Sequence, residues 1–163
     1  MEALMNKLTT YEIFTNLFPG VLFYYFLDFL VEVENKVVDI LFILFLSYFL
    51  GMFLSRIGSL VIETLFDKLK IIDKAKYEDY VKAELKEKEC KTSLFALVEK
   101  SNIYRTLIAT FLLMFVIYLF LYIINKSGNL LLLCSFLVFV FVFSLSYKKQ
   151  VKYIKERVRI LLI

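Results

Sequence analysis

Four apolar runs of about 18–19 residues each, Ile13–Val31, Val37–Leu54, Leu107–Ile124 and Leu130–Tyr147, restrict this chain more than any other feature. A helix rises about 1.5 Å per residue, so each run is long enough to cross a hydrocarbon core of ~30 Å. A chain of 163 residues cannot hide four helices that are apolar on every side and still offer water a polar surface. Its hydrophobic fraction of 61% stands well above the roughly 45–50% of an ordinary soluble domain. The expected fold is all-α and integral to a membrane, with four transmembrane helices.

Charge orients the spans. Of 20 Lys and Arg, only Lys36 and Lys126 fall in the first and third loops between runs. The rest precede the first run, separate the second from the third, or follow the fourth. Cationic loops resist translocation, so those segments and both termini are expected in the cytoplasm, with the chain in the inner membrane. The first run does not read as a cleaved leader, because Glu32-Val33-Glu34-Asn35-Lys36 follows it in place of small residues. Pro19-Gly20 predicts a kink, which membrane helices tolerate when neighbours satisfy the freed backbone groups.

The resulting organisation is a cytoplasmic N-terminal segment (1–12), a transmembrane hairpin (13–54), a cytoplasmic helical insert (55–106), a second hairpin (107–147) and a basic amphipathic tail (148–163). The stretch Arg56–Arg105 holds 11 bases, 9 acids and no proline, and it is expected to be helical. Tyr77, Tyr80, Val81 and Leu85 would form one apolar face, continued by Leu94, Leu97, Val98 and Ser101 into a helix running from about Ser93 through Ile124. In the tail, Val151, Ile154, Val158 and Leu161 recur at 3-4-3 spacing, with bases on the other faces.

Histidine is absent, which removes Ser-His-Asp triads and His-ligated zinc. The four glycines make no phosphate loop. Cys90 and Cys134 fall in the insert and the fourth run, and no disulfide is expected. No paired acids, metal ligands or Ser-Lys dyad stand at catalytic spacing, so neither an enzyme nor a cofactor is expected.

Three constellations remain. Ser47, Gly51, Ser55 and Ser59 make a stripe of small residues at i+4 spacing, which lets helix backbones approach closely. It either seats the second span on another span of the chain, or forms a subunit interface or pore lining. Asp28, Glu32, Glu34 and Asp39 place four acids against Lys36 at the first hairpin's turn. Carboxylates in lipid are costly, so they face water or a bundle interior. In an oligomer Asp28, Glu32 and Asp39 would ring an outer mouth; otherwise Asp39 caps the second span and the glutamates end the first. Arg56 and Arg105 flank the insert, either snorkelling to headgroups or forming a cationic pair at the inner mouth. In the tail, Lys148, Lys149, Lys152, Lys155, Arg157 and Arg159 face only Glu156. With Tyr77 and Tyr153 interleaved among lysines, they suit phosphates, whether of a nucleic acid or of anionic lipid.

The segments Tyr11-Glu12-Ile13-Phe14, Leu17-Phe18-Pro19-Gly20, Gly51, Ser55-Arg56-Ile57-Gly58-Ser59 and Asn102-Ile103-Tyr104-Arg105-Thr106 resemble small bacterial membrane proteins of anti-phage defence loci. Within that group they are most similar to the membrane effectors of Hailong systems. The resemblance implies a homo-oligomeric, tetrameric ion channel. It further implies a partner nucleotidyltransferase whose oligo-deoxyadenylate keeps the channel closed, so that loss of that ligand depolarises the cell. No family motif fixes individual functional residues. The alternative is a non-conducting accessory subunit that recruits a cytoplasmic partner.

Overall fold

The computed structural model describes residues 13–31, 39–87, 94–125 and 129–162. Glu32, Glu34, Lys36, Cys90 and Lys126 lie outside the described residues. A π-helical turn (Ile13–Leu17) leads into α1 (Phe18–Val31). The second run forms α2 (Ile40–Ile57), which passes through a π turn (Gly58–Ile62) into α3 (Glu63–Lys68). Next come α4 (Tyr77–Glu87), α5 (Leu94–Asn125) and α6 (Leu130–Leu162). No strand occurs among the described residues.

Three continuous helices, Ile40–Lys68, Leu94–Ile124 and Leu130–Leu162, are long and apolar enough to cross a membrane. Their outer faces carry exposed side chains such as Phe45, Phe120, Leu131 and Phe141, an apolar surface far larger than a water-soluble monomer tolerates. The first run is helical throughout its described length, and its discontinuity falls early. The π turn ends just before α1, and Pro19, buried near the start of α1, follows directly on it, so the missing proline N–H falls where the hydrogen-bond pattern changes register.

Side-chain caps start the helices at one end of the bundle. Asp39 Oδ1 accepts from the Leu41 N–H at 3.1 Å, and Asn129 Oδ1 accepts from the Leu131 N–H at 2.9 Å. The Asn129 N–H also donates to the Tyr118 hydroxyl at 2.9 Å, joining the start of α6 to α5.

The small-residue stripe works inside the chain. A Cβ on Gly51 would lie 1.7 Å from the carbonyl oxygen of Asn16, and one on Gly20 would lie 1.7 Å from that of Ser47. Backbone therefore meets backbone between the first run and α2, with Ser47 fully buried. Farther along, a Cβ on Gly58 would sit 3.1 Å from the Arg105 carbonyl oxygen, so the π turn marks where the second helix crosses α5. Aromatic contacts fill the bundle: Phe26 meets Phe136 edge-on at 5.6 Å, and Phe111 stacks on Phe139 at 4.8 Å. The in-span hydroxyls of Thr106, Thr110, Ser144 and Ser146 donate to carbonyls four residues back.

The insert departs from the expected helix at residues 69–76. There Lys70 takes a left-handed φ of 54°, the Lys70 N–H donates to the Asp67 carbonyl, and the Ile71 N–H donates to that of Phe66. Ile71 packs back on the cluster that contains Phe66, completing a Schellman stop at a lysine where glycine is usual. The expected apolar face of α4 holds at Tyr80, which packs on the tail cluster, and is corrected at its two ends. Tyr77 and Leu85 are exposed, whereas Ala83 is buried and packs with Leu94 and Val158. That contact covers the tail stripe, whose Val151 and Val158 are buried as the spacing requires.

Candidate functional site

The chemistry gathers at the polar end, where the extensions of α2, α5 and α6 meet. Having stopped at Lys70, the chain doubles back so that Ile72 is buried in the cluster of Ile62, Phe66, Ile108, Tyr147 and Val151. The segment that follows is not helical, and its successive side chains point apart. Lys74 turns toward α3, donating to Glu63 at 2.7 Å and to Asp67 at 2.6 Å. Asp73 turns toward the tail and pairs with Lys155. Arg105 of α5 donates to the other oxygen of Glu63.

Glu63 thus joins three segments of the chain. Its two carboxylate oxygens receive different cations, one from α5 and one from residues 69–76. Arg105 keeps only 15% of its side-chain surface, which makes this a pair whose disruption would strand a largely desolvated guanidinium. Burial alone would lower the Lys74 ammonium's pKa, but the hydrogen bonds to Asp67 and Glu63 outweigh it and hold the group above the ordinary lysine value. Close by, Gln150 is buried in α6 and donates to the Leu97 carbonyl at 3.1 Å, fastening the tail to α5.

On the other side of residues 69–76 lies a basic groove. A depression of about 520 Å³ is lined by Lys148, Lys149, Lys152, Lys155 and Arg159, with Ile71 and Leu145 supplying apolar wall. A second depression of similar size adjoins it, sharing Asp73, Lys155 and Arg159 and adding Lys74 and Lys76. The groove's five bases face two acids, Asp73 and Glu156. Each acid is already engaged, Asp73 by Lys155 and Glu156 by Lys152 at 3.7 Å. Lys149 also lies 5.7 Å from the centre of the Tyr153 ring. The excess of cations gives the groove a positive potential, a chemistry that suits phosphate or another multivalent anion.

Comparison with protein-family models, curated proteins and solved structures yields no match. What the chain does must therefore be argued from these residues.

The described residues singled out in the sequence now have places. Five of the six tail bases share the groove, while Arg157 is half-buried and does not line it. Arg105 is not open to an anionic ligand, because Glu63 holds it, and Arg56 is exposed elsewhere on the helix. Ser47 and Gly51 are buried against the first run and Ser55 is half-buried, so close packing within the chain takes the stripe's first two positions. Asp39 is a helix cap, Asp28 is exposed on α1, and Glu32 lies outside the described residues. The sequence reading missed Glu63, Asp67 and Asp73, and it counted Lys74 only among the lysines interleaved with Tyr77, not as the partner of Glu63 and Asp67. One signal was available: Glu63 and Asp67 repel each other at i,i+4 on a helix unless cations face them.

Proposed function

We propose that this protein is a four-span membrane channel, with both termini cytoplasmic, gated by a phosphate-bearing ligand that binds the basic groove. The supporting observation is that the groove's five bases sit on the same unbroken helix, α6, that carries the fourth apolar run. A ligand clamped there acts directly on a membrane-crossing element. The first run, helical over Ile13–Leu17 and Phe18–Val31, is the fourth span in this reading. Lys and Arg asymmetry places the groove in the cytoplasm.

The likeness to anti-phage membrane effectors supplies the rest of the proposal. The chain assembles as a homo-oligomer, a single-stranded oligo-deoxyadenylate from a partner nucleotidyltransferase holds it closed, and loss of that ligand depolarises the membrane. It is not an enzyme in this reading. A ligand shifts such an equilibrium only by binding one state better than the other, so closing requires that the groove fit the closed arrangement.

The test is a planar-bilayer recording of the purified full chain. Oligo-deoxyadenylate added on the tail side should reduce open probability, and a variant with the six tail bases changed to Gln should lose that response. Absence of any conductance in ligand-free protein would leave the accessory-subunit reading. Displacement of the oligonucleotide's effect by anionic lipid, with no salt dependence of its own, would reassign the groove to headgroups.

A further inference from the structure

We propose that Asp73 is a built-in counter-ion of the basic groove, an internal anion that the incoming phosphate must displace. Displacing it removes the polar tie between residues 69–76 and the tail and loosens a segment that Ile72 and Ala75 still pack against it. The proposal rests on the groove being the ligand site, and it concerns how that site is regulated.

Asp73 and Lys74 are neighbours with opposite attachments. Lys74 is held by Glu63 and Asp67 on the second helix's extension, and Glu63 is held in turn by Arg105 of α5. Asp73 reaches across to Lys155 on α6. Two adjacent residues therefore tie the ends of three membrane-crossing helices together, and the link to α6 is the weakest. The Asp73 side chain is 82% exposed and that of Lys155 45%, against 33% and 27% for Lys74 and Glu63. An exposed pair is worth little and exchanges readily. Because Lys155 and Asp73 line both depressions, any anion filling either one competes with the Asp73 carboxylate for the same ammonium. Glu156 cannot play this part, since it and Lys152 belong to one helix and no other segment is tied by their pairing.

Competition has quantitative signatures. Removing the internal anion frees Lys155, so affinity for a polyanion should rise by about 1.5- to fivefold, the range set by an exposed pair. Lys155 neutralises one phosphate in the parent and in Asp73→Asn alike, and the released counterion comes from the strand, so the log–log salt slope should be nearly the same in both. The affinity gain should vanish in a Lys155→Gln background.

The experiment uses the full chain in nanodiscs and a fluorescent single-stranded oligo-deoxyadenylate, titrated by anisotropy at several salt concentrations. The four proteins are parent, Asp73→Asn, Lys155→Gln and the double variant. Tighter binding by Asp73→Asn at a nearly unchanged salt slope, a gain absent from the double variant, is the expected result. Parent binding that weakens on Lys148→Gln/Lys149→Gln but ignores Asp73→Asn overturns the counter-ion while leaving the groove. Failure of the parent and of Asp73→Asn to bind removes the groove reading itself, and the counter-ion with it. Thiol labelling of Ala75→Cys, half-buried beside the tail, reads the loosening. Its rate should rise when the oligonucleotide is added, and an unchanged rate in a protein that binds overturns the loosening.

Discussion

Gly51→Ala should separate the first run from α2, and its effect can be worked from the contact. The new Cβ would be 1.7 Å from the Asn16 carbonyl oxygen and 2.5 Å from its carbon. Relief to an ordinary separation of about 3.5 Å requires the helices to part by roughly 1.5–2 Å. A flexible side chain could rotate away; a helical carbonyl cannot. Overpacking costs ~1–3 kcal/mol, and this contact belongs at the upper end, so the open fraction should rise about 100-fold. Thr15 provides the probe. It is 3% exposed, and its hydroxyl has no hydrogen-bond partner among the described residues, so Thr15→Cys fits with little disturbance. With Cys90 and Cys134 replaced, the labelling rate of this thiol in detergent reports opening. Ser47→Ala is the control: its Oγ is buried and likewise finds no partner among the described residues, so its loss should be neutral or mildly stabilising. A labelling rate in Gly51→Ala within twofold of the parent would refute the close backbone contact. It would return the stripe to a subunit or pore surface.

Other outcomes follow from the same contacts. Glu63→Gln strands Arg105 and should lower stability by ~1–3 kcal/mol, measured by thermal unfolding in detergent; an unchanged midpoint would mean the pair is inert. Lys74, with its pKa raised by its carboxylate partners over the effect of burial, contributes stability fully below the ordinary lysine value. That contribution should disappear only as pH rises through the raised one, so the parent should lose its margin over Lys74→Gln at strongly alkaline pH while Lys74→Arg retains it. For topology, cysteines at Asp39 and Asn129 should react with an impermeant reagent outside intact cells and one at Lys76 should not; the reverse pattern inverts the chain. If Asp28 serves a cation pathway, Asp28→Asn should reduce cation-over-anion selectivity, and an identical reversal potential would confine it to the surface of α1.

Much of the helical framework was readable because hydrophobic period and helix length are local properties. The 3-4-3 stripe of the tail required a covering partner, and α4 supplies it through Ala83. What the sequence concealed depends on pairings across long separations. Arg105 and Glu63 are 42 positions apart, and nothing in the neighbourhood of either names the other. The stop at Lys70 was hidden because lysine ordinarily avoids a left-handed backbone, and here the packing of Ile71 on the cluster that contains Phe66 compensates. The apolar face of α4 was misread because tyrosine and leucine attract attention, whereas the close contact is made by a small alanine.

The unbroken course of α6 carries a mechanical consequence. Its 33 residues make a rod about 50 Å long, held about a third of the way along, where its Phe139 and Phe143 rings stack on Phe111 of α5. A rod so held is a lever with a fulcrum. If it pivots there, a tilt of about 5° moves the near tip by roughly 1.5 Å and the charged tip by roughly 3 Å, in opposite directions, over arms of about 16 and 32 Å. Displacement at the charged tip therefore reappears, reversed in sense, beside Asn129 and Tyr118 at the far end. It travels through the stiffness of one helix, with no relay of side chains between.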